Sequence, residues 1–270
     1  MTLSPCLHAI ITGGSSGIGK ATAMILASKG YHITIIARRE KILEHAVLEI
    51  KSACQSSAQN VLGLSADVSD KHAIQSAISK SIETIGPPSI LITSAGIVQP
   101  GYFENLSEKN FEETMKINYF GTLYAIQAIQ PIMKERKSGH IVIISSGAGL
   151  MGIFGYTSYC ASKFAVRGLA EALRGEMKRY GINVSIAYPP DTDTPQLAEE
   201  NKTKPAETKL ITESGGVYSA HYVANAIVKG IQKNKFIISP GIQMALLARL
   251  HSFLNPILNY YFDHLIKRKF

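Results

Sequence analysis

The stretch Leu7-His8-Ala9-Ile10-Ile11, followed by Thr12-Gly13-Gly14-Ser15-Ser16-Gly17-Ile18-Gly19, limits the possible folds of this chain more than any other. The apolar run reads as a short buried strand, and residues 20–29 read as the helix that follows it. Gly13 permits a tight turn, Gly17 lets the main chain approach a pyrophosphate, and Gly19 lets helix and strand pack closely. A helix N-terminus behind such a turn presents free N–H groups to an anion, so Gly13, Ser15, Ser16, Gly17 and Ile18 are candidates for a dinucleotide site. A purely structural turn would use the same glycines, and the rest of the chain has to decide.

The rest of the chain repeats strand and helix. Strands are expected at 31–37, 61–66, 90–93, 140–144, 182–188 and 236–239. Helices are expected at 40–53, 71–85, 111–136, at the segment carrying Tyr159 through Lys178, and at 220–232. The run at 140–144 is continuously apolar, as a central parallel strand covered on both faces should be. With 270 residues and 46% hydrophobic content there is enough chain for one large core. The expectation is one doubly wound α/β (Rossmann) domain over 1–240 with a mainly parallel seven-stranded sheet, then a hydrophobic and basic tail over 241–270. Residues 189–218 are polar and punctuated by Pro and Gly, which suits either a lid over a substrate or a flexible insertion.

Several function classes drop out. Cys6, Cys54 and Cys160 are odd in number and lack CxxC spacing, so neither a disulfide framework nor a thiolate metal site is expected. The eight histidines show no paired-ligand spacing, and no metal is expected. The net charge is +8, but the basic residues are dispersed among acidic ones, as in Lys134-Glu135-Arg136, so no nucleic-acid partner is expected. Met1-Thr2-Leu3-Ser4-Pro5 runs almost at once into a strand, with no room for a cleavable signal peptide, and a reducing, cytoplasmic setting fits best.

The end of the second strand bears on which dinucleotide is bound. An NAD site usually carries Asp or Glu there, whereas this chain has Arg38 and Arg39, whose guanidinium groups suit a 2′-phosphate and hence NADPH. The alternative is that Arg38 and Arg39 begin a solvated basic helix, but the missing acid favours NADPH. Asp67, followed by Val68 at the end of the third strand, can meet an adenine amino group or mark the start of the next helix.

Tyr159-Cys160-Ala161-Ser162-Lys163 puts Tyr159 and Lys163 one helical turn apart on one face. A fixed ammonium beside a phenol favours the phenolate and brings it closer to a useful pKa; an ordinary exposed Tyr and Lys would show the same spacing. Ser145 and Ser146 end a central strand, where open α/β sheets place their ligands. Asn118 sits among apolar neighbours and needs partners, as a group holding a water or a backbone near the site or as a packed helix-bend residue.

Together these residues resemble the short-chain dehydrogenase/reductase family over about residues 7 to 240: TGxxxGxG, Asn118-x-x-Gly121, Ser145-Ser146-x-Ala148-Gly149 and YxxxK arrive in that family's order and spacing. The resemblance implies that Tyr159 exchanges the proton and Lys163 holds the nicotinamide ribose and lowers the Tyr159 pKa. It implies that Ser146, with Ser145 as the alternative, bonds the substrate oxygen, and that Asn118 supports Lys163 through water. Ala95, Pro189, Thr192 and Thr194 fall at cofactor-contacting positions. Two turns depart from the pattern: Thr93-Ser94-Ala95-Gly96 stands for Asn-Asn-Ala-Gly, and Pro189-Pro190 for Pro-Gly, which leaves Thr194 as the expected contact to the nicotinamide amide. A homo-oligomer is a further family expectation.

Residues 163–173, 188–194 and 199–205 are similar to one branch of that family, the reductases of 3-ketodihydrosphingosine. The implied reaction is NADPH-dependent reduction of the 3-keto group of a long-chain 2-amino ketone, in sphingoid-base synthesis. Asp191, Asp193, Glu199 and Glu200 are expected to attract the substrate ammonium. Reductases of other hydrophobic carbonyls (steroid, retinoid, 3-oxoacyl) would share the same catalytic residues, and an NADPH-sensing binding protein would share the scaffold. The tail at 242–262 is apolar but interrupted by Arg249, His251, Asn255 and Pro256, so a spanning helix is not expected. With Lys267-Arg268-Lys269 it suits peripheral contact with a membrane surface, at the cytoplasmic face of the endoplasmic reticulum in a eukaryote, or else packing on its own domain.

Overall fold

The computed structural model describes residues 7–213 and 215–269, without the side chains of 268 and 269. The signal-peptide reading at Met1 to Pro5, Cys6 and the side chains of Arg268 and Lys269 therefore lie outside the described residues.

The first half of the chain alternates β1 (His8–Thr12), α1 (Gly17–Ala27), β2 (His32–Ala37), α2 (Glu40–Ser52), β3 (Val61–Ser65), α3 (Lys71–Ile85) and β4 (Ile90–Thr93). After β4 come α4 (Glu108–Met115), α5 (Gly121–Glu135), β5 (Gly139–Ile144), α6 (Thr157–Lys178) and β6 (Ile182–Ala187). Then follow β7 (Thr192–Asp193), α7 (Pro195–Thr203), α8 (Ala206–Glu213), β8 (Tyr218–Ser219), α9 (Ala220–Gln232), β9 (Ile237–Ile238) and α10 (Ile242–Lys269). The main sheet has seven strands in the order β3-β2-β1-β4-β5-β6-β9, and every neighbouring pair is parallel.

Parallel strands need helical crossovers, and these cover both faces. Neighbouring β1 residues serve opposite layers: Ile10 joins the core beneath α3, α5 and α6, while Ile11 joins the core beneath α1, α2 and α9. The strand order reverses between β1 and β4, which pair in register from Ala9↔Ile90 to Thr12↔Thr93. Crevices form at such reversals, beyond the strands' carboxyl ends, and here the turns after β1 and β4 meet.

Two elements differ from the reading above. The helix expected at 111–136 is broken by a π-helical segment, Lys116–Phe120, which carries Asn118. The lid expected to be irregular folds instead as β7, α7, α8 and β8, with β7 and β8 paired as a separate ribbon. Thr194 caps α7 by accepting from the Leu197 N–H at 3.3 Å, and Pro195 begins the helix where its missing N–H costs nothing. Pro256 lies inside α10 without ending it.

Candidate active site

Glycines close the floor of the site. Gly13 has φ +70°, and a Cβ there would lie 2.5 Å from the Ala95 nitrogen, so only glycine lets the β1 and β4 turns touch. A Cβ on Gly19 would meet the Gly13 carbonyl oxygen at 2.4 Å, which ties α1 down onto the same turn. Ser16 sits at the N-cap of α1 without a side-chain bond to the helix, leaving the first N–H groups directed at the crevice. Thr194 packs over the loop, its methyl 3.0 Å from where a Cβ of Gly17 would be. This cradle fits a pyrophosphate and the rest of a dinucleotide.

One cavity of about 1210 Å³ runs from this loop past the ends of the central strands to α10. That exceeds the ~300–1,000 Å³ typical of a single small-molecule pocket, so it has room for a cofactor and a second ligand. Gly13, Ser15, Ser16, Gly17, Ile18, Arg38, Arg39, Val68, Ala95, Pro189, Thr192 and Thr194 all line it. Asp67 does not. Its carboxylate accepts from the Ser69 N–H at 2.9 Å and hydroxyl at 2.7 Å, and lies 3.3 Å from Arg38. Nor does it cap α3, a role taken by Asp70, which accepts from the N–H groups of His72 and Ala73.

At the centre of the cavity stand Tyr159, Lys163 and Ser146. Tyr159 and Lys163 are both buried on the first turns of α6. The Lys163 ammonium donates to the Ile144 carbonyl at 3.1 Å, and burial lowers its pKa to about 8. Burial raises the Tyr159 pKa, opposed by a hydrogen bond with Ser146. The expected lowering of the phenol by Lys163 is thus outweighed in the chain itself, because Tyr159 has lost its water while the ammonium is turned toward Ile144.

The two serines separate. Both border the cavity, but Ser145 is buried and donates to the Lys163 carbonyl at 3.2 Å, which makes it a brace for α6, whereas Ser146 is the one set against Tyr159. Asn118 accepts from the Ile97 N–H at 2.8 Å and donates to the Ile97 carbonyl and the Ser162 hydroxyl, each at 2.9 Å. It therefore clamps the strand exit after Gly96 onto α6. A Cβ on Gly96 would lie 3.2 Å from Asn118 Oδ1 and 3.6 Å from Lys163 Nζ.

A model of the short chain dehydrogenases matches residues 7–205. This chain belongs to that family. It is 45% identical over 251 residues to the 3-dehydrosphinganine reductase of Danio rerio, covering 93% of this chain and 76% of that one. Similarity of 45% over 254 residues links it to the 3-ketodihydrosphingosine reductase of Mus musculus, covering 94% and 76%. The Dictyostelium discoideum protein of that name is 40% identical over 273 residues, covering 96% and 82%. Among solved structures, levodione reductase superposes with a TM-score of 0.80 at 26% identity, covering 88% of this chain and 98% of that one. A family member from Burkholderia phymatum in complex with NAD superposes at 0.79 with 26% identity, covering 90% and 91%.

Beside these residues lies a second cluster, in which the sequence reading named Asp191 and Glu200 but gave no part to Tyr156 or Lys204. Tyr156 packs edge-on against Tyr159, with ring centres 5.7 Å apart, and donates its hydroxyl proton to Glu200. Glu200 in turn holds Lys204 at 2.7 Å, and Lys204 approaches Asp191 at 3.7 Å. The signal was available in the four-residue spacing of Glu200 and Lys204, but that spacing usually marks an exposed pair, and this one is buried. The other expected acids do not join. Asp193 is exposed and lies off the cavity, because it alternates along β7 with buried Thr192, and Glu199, although it borders the cavity, is exposed and tied to Lys202 at 2.7 Å.

From α10, Met244, Leu247, Leu254 and Leu258 face the cavity, and Ala248 is buried in the core. Ile242, Leu246, Leu250, Phe253, Ile257 and Tyr260 form an exposed stripe on the same helix. No helix among the described residues is long and apolar enough to cross a membrane.

Proposed function

We propose that this protein reduces 3-ketodihydrosphingosine to dihydrosphingosine with NADPH as reductant, in the synthesis of sphingoid bases. The reading is carried by the meeting of Tyr159, Ser146 and Lys163 at the base of a largely apolar cavity, in a chain 45% identical to reductases named for that ketone.

The cofactor fits the cradle described above. Its pyrophosphate would rest on Gly13, Ser15, Ser16, Gly17 and Ile18, with Val68 beside the adenine. Arg38 and Arg39 would take the 2′-phosphate, and the absence of an acid at the end of β2 supports NADPH over NADH. Ala95, Pro189, Thr192 and Thr194 would border the nicotinamide half, and Lys163 and Tyr159 its ribose. When bound, the nicotinamide supplies the hydride.

The chain's own residues manage the oxygen and the proton. Ser146 and Tyr159 both line the cavity and present two hydroxyls to a ketone oxygen. The Tyr159 O–H is the proton donor to the alkoxide that develops there, and its high pKa keeps that proton in place beforehand. Lys163 compensates the phenolate left behind, and Asn118 keeps α6 and the β4 exit in register for that exchange.

The same reading assigns the exposed stripe of α10 to a membrane surface at the cytoplasmic face, since a long-chain amphiphile such as this substrate partitions into bilayers. Product analysis tests the main claim. Dihydrosphingosine formed from the ketone and NADPH is the expected result, whereas turnover confined to steroid, retinoid or 3-oxoacyl substrates would contradict it.

A further inference from the structure

We infer that Glu200, held by Tyr156 and Lys204, binds the substrate's ammonium group and so selects a 2-amino ketone over a neutral one; this rests on the substrate class proposed above. Tyr156 and Tyr159 belong to one turn at the start of α6, with rings edge-on at 71°. Whatever oxygen Tyr159 holds, the group one carbon away lies toward Tyr156 or away from it. In a 2-amino ketone the nitrogen is joined to the carbonyl carbon through a single carbon, which puts it about 2.5 Å away, as in an amino acid backbone.

The electrostatics on the Tyr156 side call for a cation. Lys204 is one ammonium, with 2% of its side chain exposed, against two carboxylates, Glu200 and Asp191. Burial raises the Asp191 pKa, opposed by Lys204, the direction expected where carboxylates outnumber cations. Glu200 itself is only 10% exposed. Both of its contacts, from the Tyr156 hydroxyl and the Lys204 ammonium, fall on Oε1. Glu200 also lines the cavity, within reach of a ligand placed against Tyr159. A carboxylate on a side chain only one-tenth exposed at the edge of a cavity favours a charged donor, and the substrate ammonium supplies one.

The test compares 3-ketodihydrosphingosine with its analogue lacking only the amino group, each assayed with the wild-type protein and with Glu200→Gln. The quantity read is the ratio of kcat/KM for the two ketones, which does not depend on how much of a variant is folded. The wild type is expected to favour the amino ketone, and Glu200→Gln to lower the ratio about 10- to 100-fold, the worth of one charged hydrogen bond. Tyr156→Phe keeps the carboxylate but frees it, and is expected to lower the ratio less. An unchanged ratio in both variants would overturn the inference, leaving Glu200 a partner of Lys204 only. A wild type that reduces both ketones equally well would also overturn it while leaving a long-chain ketone reductase standing. A wild type that reduces neither would instead defeat the proposed function, and this inference with it.

Discussion

Lys163 places its ammonium 5.5 Å from the centre of the Tyr159 ring while bonding the Ile144 carbonyl at 3.1 Å, so the cation reaches both the Tyr159 phenol and the end of β5. Burial brings its pKa down to about 8, inside the working range of an enzyme. The charged form is present below that pH and is lost above it. The kcat/KM for ketone reduction is therefore expected to fall as pH rises through about 8. In Lys163→Arg, whose guanidinium stays charged, that limb should be absent even if the overall rate is lower.

Arg38 should decide the cofactor. It is exposed at the mouth of the cavity and pairs with Asp67 at 3.3 Å, so its removal leaves the core untouched. Arg38→Ser is expected to raise KM for NADPH about 10- to 100-fold and to change KM for NADH little, as steady-state kinetics with both nucleotides would show.

Much of this was legible beforehand, for physical reasons. Buried parallel strands leave continuous apolar runs, and α3 falls at 71–85 as expected because Asp70 and Gly86 mark its ends. Tyr159 and Lys163 were legible because helix spacing alone brings them together. The π-helical segment at Asn118 leaves no such mark, since it arises from the clamp onto Ile97 and Ser162 across the fold. The lid helices were missed because α7 buries none of its own residues fully and so has no apolar face to read. Lys204 looked like a surface cation; only the meeting of Glu200 and Asp191 around it permits its burial.

The glycine floor should tolerate no side chain. Gly19→Ala would drive a Cβ to 2.4 Å from the Gly13 carbonyl oxygen, backbone that cannot step aside without opening the cradle. A loss of roughly 1–3 kcal/mol is expected, seen as a Tm several degrees lower, together with weaker NADPH binding in a fluorescence titration.

Two buried histidines should make the fold acid-sensitive. His8, bonded to Gly86 and Thr34, and His140, bonded to Ser185, are both lowered by burial from 6.5 to about 4. Between those values the unfolded chain binds protons that the folded one refuses, so stability is full above about 6.5 and declines as pH falls toward 4. At ~1.4 kcal/mol per pH unit the loss is of the order of a few kcal/mol for each histidine, and urea unfolding at pH 7 and pH 5 would measure it. His140→Gln should flatten the dependence.

The exposed face of α10 should carry the membrane contact. Phe253 and Ile257 are 79% and 65% exposed, beside the cavity-facing Leu254 and Leu258. Replacing both by Glu is expected to lower binding to anionic vesicles by more than about tenfold in a sedimentation assay, with the Tm unchanged.

The most direct test of the whole account is the initial rate of NADPH oxidation with 3-ketodihydrosphingosine in detergent micelles, for the wild type and Tyr159→Phe, with NADH in parallel. The account requires turnover that prefers NADPH and disappears in the variant while NADPH still binds. Turnover that survives in Tyr159→Phe would contradict it.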